Sequence, residues 1–341
     1  MTNMKTLICN EPYSIEYIER DIPEIQPNEV LLKINAVGIC GTDIHAYAGH
    51  QPFFSYPRVL GHEICGTVET IGADCKKVQK GKRYSVIPCI PCGTCSACCE
   101  GKTNCCENVS LYGVHQDGGF SEYLAVLEDN LVELPDAVSN SQGSLVECFA
   151  ISAHAVCRAQ LRSKDNVLIV GAGPIGLAAA AIAKADGATV TVADVDAGRR
   201  SQVEEKLSVR ALNPLEENYE EQLRAAYGGE LPNVLMDATG NKASMSRSIE
   251  LICHGGRIVF IGLYIGELVL DDPTFHKKET TLLSSRNATR EDFEKVINLM
   301  SSGKISEAIM KNKDYDFHSF GSRYKEDVVE NKSLVKGVIN F

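Results

Sequence analysis

Up to about residue 146 the apolar positions come in short runs broken by glycine. Val30-Leu31-Leu32-Lys33-Ile34 reads as a strand, and Gly61 to Gly72 as strand material punctuated by glycine. Turns between short strands account for that spacing, and no long stretch there keeps a clean helical period. At Val167 the texture changes. Val167-Leu168-Ile169-Val170 is a buried-strand run followed by a glycine turn and an apolar helix. Strand-like Val190 to Asp194, helix-like Glu216 to Tyr227, strand-like Val234 to Asp237, helix-like Ser244 to Ile252 and strand-like Arg257 to Ile261 follow. Strands alternating with helices predict βαβ units and a parallel sheet. Thr289-Arg290-Glu291-Asp292 resembles a capping box, opening a helix through about Ser301. The junction from Glu147 to Arg162 is itself helix-like, so the two textures predict domains that share an interface.

The length of 341 residues agrees with two domains. Hydrophobic residues at 44% and charged residues at 23% are ordinary globular values and exclude a disordered or fibrous chain. A net charge of −11 argues against nucleic acid or an anionic membrane as partner. The longest mostly apolar run, Val167 to Ala183, holds three glycines and a proline. It falls short of the roughly 20 residues a membrane-spanning helix needs. The first ten residues hold one Lys and no apolar core, so the expectation is no signal peptide and a cytoplasmic location. Composition then matters at one point. Of 14 cysteines, six (Cys92, Cys95, Cys98, Cys99, Cys105, Cys106) fall within 15 residues. Thiols stay reduced in the cytoplasm, so clustered cysteines read as metal ligands ahead of disulfides.

Gly171-Ala172-Gly173-Pro174-Ile175-Gly176 is G-x-G-x-x-G between an apolar strand and a helix. That context makes it a dinucleotide loop: one glycine for the turn, one for backbone approach to a pyrophosphate, one for helix–strand packing. Asp194 ends the next strand, 23 residues after Gly171. A carboxylate there accepts from ribose hydroxyls and repels a 2′-phosphate, favouring NAD; Arg199 and Arg200 are the counter-evidence. Cys92-x2-Cys95-x2-Cys98-x7-Cys106 is a four-thiolate set suited to a closed, structural zinc site. Cys99 and Cys105 leave the register of two ligands open. Cys40, His62-Glu63 and Glu147-Cys148 supply a second, scattered set of the donor types an open zinc site uses.

With these residues assembled, the chain resembles the zinc-dependent medium-chain alcohol and polyol dehydrogenases over essentially its whole length. The resemblance rests on G-I-C-G-T-D-I-H (Gly38–His45), Y-P-R-V-L-G-H-E (Tyr56–Glu63), the cysteine lobe, G-G-F-S-E-Y (Gly118–Tyr123), E-C-F-A-I-S-A-H-A (Glu147–Ala155) and G-A-G-P-I-G. A finer likeness is to bacterial enzymes that oxidise C5 of hexonates such as L-gulonate or L-galactonate. It rests on Gln51–Gly66, Gly113–Tyr123, Phe275–Thr281 and Ser285–Thr289.

The resemblance implies an α/β chain. A GroES-like, mostly-β catalytic domain would take residues 1–150 and 290–341, with its structural zinc lobe at about 89–107. A Rossmann doubly wound parallel sheet would take 151–289, with the active site in the cleft. It implies two zinc ions and NAD, with Cys40, His62 and Glu147 as catalytic zinc ligands. Cys148 leaves open a sulfur in place of Glu147. Glu63 is implied beside the metal, as a hydrogen-bond acceptor or a transient ligand, and Asp43 as the acid orienting the histidine. Thr42 and His45 are implied as the proton route to solvent. Thr239 and Gly262 join Gly171, Gly173, Pro174, Ile175, Gly176, Asp194 and Arg199 as cofactor contacts. Arg58 and Arg286 are candidates for a substrate carboxylate. His115, Gln116 and Asn287 are further substrate contacts, with Phe53 and Phe54 as pocket walls. The activity implied is NAD-linked oxidation of a sugar acid's secondary alcohol, giving a 5-keto hexonate (fructuronate or tagaturonate). Polyol or threonine oxidation, or a non-catalytic NAD-binding regulator, are the alternatives. A homodimer or homotetramer is implied, through a Rossmann edge strand at Arg257–Ile261 or Glu267–Leu270.

Overall fold

The computed structural model describes residues 3–51 and 54–341. By internal contacts the chain divides into two compact units. One takes the chain up to Glu147, then Thr289–Ser301 and Lys311–Phe341; the other takes Cys148–Ala288 and Ser302–Met310. Among the described residues no helix is long and apolar enough to cross a membrane.

The first unit is built on a seven-stranded sheet, in the order Leu131–Glu133, Arg83–Val86, Glu63–Ile71, Glu29–Gly38, Lys336–Asn340, Lys311–Asp316, with Tyr123–Leu127 also paired to Glu29–Gly38. Glu29–Gly38 is central and nearly all buried, which is why its sequence is a run of apolar residues rather than an alternation. Leu32, Ile34, Val37, Ile64, Val68 and Phe120 form the core against Phe317, Phe320 and Tyr324 from the C-terminal segment. Two registers fix the site. Gly38 lies opposite Glu63 on one side and opposite Val338 on the other. Three distant stretches of sequence therefore meet where the central strand ends. A three-stranded sheet (Ser14–Asp21, Asn3–Glu11, Arg58–Val59) flanks this one. A two-stranded ribbon, Cys89–Ile90 with Ser110–Leu111, clasps the base of the cysteine lobe.

The second unit is a six-stranded parallel sheet, in the order Arg210–Leu212, Thr189–Ala193, Asn166–Val170, Val234–Asp237, Arg257–Phe260, Thr281–Ser284. In chain order that is 3-2-1-4-5-6, the doubly wound Rossmann arrangement. Helix Pro174–Ala185 packs on the sheet with Gly173 as N-cap and Pro174 in its first turn. Helix Arg290–Ser301, in the first unit, begins where the capping box is expected; Asp292 accepts from the Thr289 N–H at 2.9 Å and hydroxyl at 3.0 Å. Two expectations are corrected. The expected edge strand Arg257–Ile261 is interior, its backbone used by Val234–Asp237 on one side and Thr281–Ser284 on the other. Glu267–Leu270 forms no strand, and the edges are Thr281–Ser284 and Arg210–Leu212.

Candidate metal centre and dinucleotide site

Cys40 follows the central strand and caps helix Gly41–Tyr47, with extended backbone at φ −101°. His62 immediately precedes the neighbouring strand, which Glu63 opens. A ligand atom from each of Cys40, His62 and Glu63 lies within 4.8 Å of the others, with His62 and Glu63 buried. Asp43 ties the two loops together: its carboxylate accepts from the Cys40 N–H at 2.9 Å and the Gly61 N–H at 3.0 Å, and stands 3.7 Å from His62 Nδ1. Glu147 lies in helix Asn140–Arg158, whose Leu145 approaches Gly38 and whose Gly143 packs on Cys65. It is buried, and its charge is felt by His62, but it stands outside the group of three. Cys148 is buried beside it and also outside the group.

This pocket concentrates negative charge. Burial, opposed by His62 and reinforced by Glu63, pushes the Glu147 carboxyl up to about 7. Burial disfavours a charged His62, yet Cys40 and Asp43 beside it hold its pKa well above the usual range. Glu63 Oε2 and His62 Nδ1 are buried without hydrogen-bond partners. Crowded acids, a thiol and orphaned donor atoms are the chemistry a divalent cation relieves, so the donor set fits zinc.

Sequence reasoning missed Lys336. It is 2% exposed, and its Nζ donates to Glu63 Oε1 and, at 3.1 Å, to the Ile39 carbonyl. The available signal was a lone lysine inside the apolar C-terminal strand.

In the lobe, sulfur atoms of Cys92, Cys95, Cys98 and Cys106 lie within 4.8 Å of one another. Cys99 and Cys105 are exposed and outside that group. The Thr94 and Cys95 backbone N–H groups pull the Cys92 thiol well below the usual range, favouring the thiolate a metal needs.

Thr42 and His45 share one short helix at i, i+3 spacing, Thr42 half-buried and His45 exposed. Gly171 adopts φ +97°, open to glycine but strained for other residues. A Cβ on Gly173 would meet nothing within 4 Å, leaving its backbone open to a ligand. Pro174, Ile175 and Gly176 form the first helical turn, with the Ile175 carbonyl accepting from Ser152 Oγ at 2.8 Å. Thr239 packs over Gly171 and is held by Asp237 through its N–H (2.8 Å) and hydroxyl (2.6 Å). Gly262 lies against Gly240 with no room for a side chain. Asp194 accepts from the Ala172 N–H at 2.7 Å and the Asp196 N–H at 2.8 Å, which joins the acid to the glycine loop. Arg199 approaches Asp194 at 3.8 Å, and Arg200 is spent on the carbonyls of Asp194 and Val195.

The substrate candidates fare unevenly. Arg58 bonds Ser55 at 3.1 Å and shares Asp117 with Arg20, so its guanidinium braces the loop leading to His62. His115 Nδ1 accepts from the Leu111 N–H, and Gln116 donates to Ser110 Oγ. Arg286 is exposed and Asn287 half-buried at φ +52°, both in the second unit. Phe54 packs edge-on to Tyr56, and Phe53 lies outside the described residues.

Residues 26–136 match the alcohol dehydrogenase GroES-like domain, and residues 174–302 match the family described as zinc-binding dehydrogenase. L-galactonate-5-dehydrogenase of Escherichia coli (strain K12) is 52% identical over 341 residues, covering all of both chains. The 2-dehydro-3-deoxy-L-galactonate 5-dehydrogenase of Pseudoalteromonas atlantica is 34% identical, over 82% of each chain. A solved short chain alcohol dehydrogenase of E. coli CFT073, complexed with NADH, superposes with a TM-score of 0.92 at 31% identity, covering all of both chains. The chain therefore belongs to the zinc-binding dehydrogenases that carry an alcohol-dehydrogenase GroES-like domain.

Proposed function

We propose that this protein oxidises the C5 hydroxyl of an L-hexonate, L-galactonate or L-gulonate, with NAD, giving the 5-keto hexonate. The observation that carries this is the full-length 52% identity to an L-galactonate-5-dehydrogenase, joined to a chain that keeps both donor sets and the glycine loop. When bound, zinc supplies Lewis acidity that makes the substrate hydroxyl easier to deprotonate, and NAD accepts the hydride. Cys40 and His62 would hold that ion together with a carboxylate, Glu147 by the resemblance, while Glu63 is the acid whose oxygen lies within 4.8 Å of both; Cys92, Cys95, Cys98 and Cys106 would hold a second, structural one. Asp43 fixes the loops of Cys40 and His62. Thr42 takes the hydroxyl proton and His45 passes it on to solvent, the exposed histidine being the group suited to that exchange. Asp194 and the Gly171–Gly176 loop bind NAD. Arg58 and Arg286 are the candidate partners for the substrate carboxylate.

A substrate panel tests the reading. Replacing the hexonate carboxylate by hydroxymethyl is expected to lower kcat/KM by at least about a hundredfold, because a site built for a charged group is left unpaired. Equal turnover of the alditol, or no turnover of any aldonate with zinc and NAD supplied, sinks the substrate assignment.

The lobe gives a second test. It has no apolar core of its own: none of the residues of its short helix Ser96–Cys99 is buried. Cys106→Ser is expected to release one zinc per chain and to destabilise the protein by about 2–5 kcal/mol, read as a lower Tm. Unchanged zinc content means the four sulfurs do not share an ion.

A homodimer or homotetramer remains part of this reading. Its support is the one-sided strand Thr281–Ser284 and the exposed apolar side chains of Leu263, Ile265 and Val269.

A further inference from the structure

The second unit holds a cavity of about 460 Å³ whose lining residues all belong to that unit. That volume falls within the range of small-molecule sites, about 300–1,000 Å³. Its floor is aliphatic: Ala181, Leu207, Ile305 and Ile309 are nearly buried. Its rim carries Lys184, Lys206 and Lys304, all exposed, and no acidic side chain lines it. The chain as a whole has 45 acidic against 34 basic residues. Three lysines around one concavity therefore reverse the sign of the surrounding surface.

Helix capping uses one of the three. Helices Pro174–Ala185 and Ala197–Leu207 both end at the cavity, where free carbonyls favour a cation. Lys184 Nζ donates to the Leu207 carbonyl, and the Ser208 N–H closes the second helix on Glu204. Among the described residues, the Lys206 and Lys304 side chains enter no hydrogen bond or ion pair. Ser306 supplies the hydroxyl of the lining, and it is already used: Oγ donates to Glu307 at 3.0 Å and accepts from the Ala308 N–H at 3.3 Å. A polyhydroxylated sugar acid would find no hydroxyl partner here, and a nucleotide base no aromatic face. What the cavity offers is an aliphatic surface beside two uncommitted cations.

We propose that this cavity binds a small amphiphile, an anionic head on an aliphatic chain. The chain lies on the floor of Ala181, Leu207, Ile305 and Ile309, and the head meets Lys206 and Lys304. The site is separate from the dinucleotide loop. That loop opens helix Pro174–Ala185, the cavity lies at its far end, and 12 residues of helix span about 18 Å. The proposal thus rests neither on the substrate reading nor on the metal centre. Ile305 and Ile309 belong to Ser302–Met310, a short segment that joins the second unit from the C-terminal part of the chain. A bound amphiphile ties that segment to the two helices.

Calorimetry with octanoate and with octyl phosphate, on the zinc-loaded protein saturated with NADH, tests this. Saturable binding at one site per chain is expected for at least one of the two, and the tighter identifies the head group. Affinity should rise about fourfold for each methylene from hexanoate to octanoate, as burial on an aliphatic floor requires. 1-Octanol should bind at least about tenfold more weakly, because its head leaves both lysines unused, and added salt should weaken the anions alone. Binding should slow amide hydrogen exchange over residues 302–310. The protein carrying Lys206→Gln and Lys304→Gln should lose at least about tenfold in affinity with an unchanged Tm, since both side chains are exposed. Affinity that survives this double substitution, or 1-octanol bound as tightly as the anions, overturns the proposal. So does displacement of NADH, which places the amphiphile in the cofactor site. Absence of saturable binding by both anions overturns it as well, leaving the lysines as solvated surface.

Discussion

Cys40→Ser is expected to lower kcat at least about a thousandfold, a loss of about 4 kcal/mol of transition-state stabilisation. Serine is near-isosteric but offers a neutral hydroxyl where a metal needs a charged sulfur. The loss falls on a pocket of buried acids, yet the variant should fold. Glu147, whose carboxyl burial pushes up to about 7, can take a proton where the cation is lost. Zinc content should fall from two ions per chain to one, since the lobe sulfurs form a separate group. NADH affinity should hold within a few-fold, because the glycine loop, Asp194 and Thr239 belong to the other unit. The chain has no tryptophan, so binding is best followed by calorimetry or by the emission of NADH itself. Retained turnover at one zinc per chain would remove Cys40 from the metal site. A parallel loss of NADH binding would show that the substitution had damaged more than that site.

Much of this arrangement was legible in the sequence because it is locally encoded. Val167–Val170 with its glycines, and Cys92 to Cys106 with its short spacers, each signal within about 15 residues. The parallel sheet followed from alternating strands and helices, while its strand order came only with the pairing. What escaped depended on register. Arg257–Phe260 and Thr281–Ser284 both look like short strands, and only pairing tells which lies at the edge. Arg58 looked like a free cation until Asp117, 59 positions on, was placed against it. Lys336 meets Glu63 across 273 residues, through pairings at Gly38 that no local pattern announces. Ambiguity among adjacent cysteines likewise yielded only to geometry, with Cys98 and Cys106 turned toward the cluster and Cys99 and Cys105 toward solvent.

Gly176→Ala should remove NAD binding while sparing both metal groups. A Cβ at Gly176 would fall on the Gly171 carbonyl oxygen, far inside contact distance. That obstacle is backbone, so no rotamer change relieves it. Helix Pro174–Ala185 would have to lift from strand Asn166–Val170, or the Gly171–Gly173 turn would have to open. Either movement strains the 2.7 Å bond between the Ala172 N–H and Asp194, through which the loop and the ribose-side acid share one geometry. Overpacking of this kind costs about 1–3 kcal/mol of stability. A displacement near 1 Å at a phosphate-binding turn is enough to weaken NADH binding about a hundredfold. Gly173→Ala is the informative companion, because a Cβ there meets nothing within 4 Å. Its Tm should match wild type, and any loss of NADH affinity is then an effect on the ligand rather than on the fold. If Gly176→Ala binds NADH as wild type does, the pyrophosphate does not sit on this turn. If Gly173→Ala alone is silent, the nucleotide lies on the loop but does not approach the backbone at its second glycine.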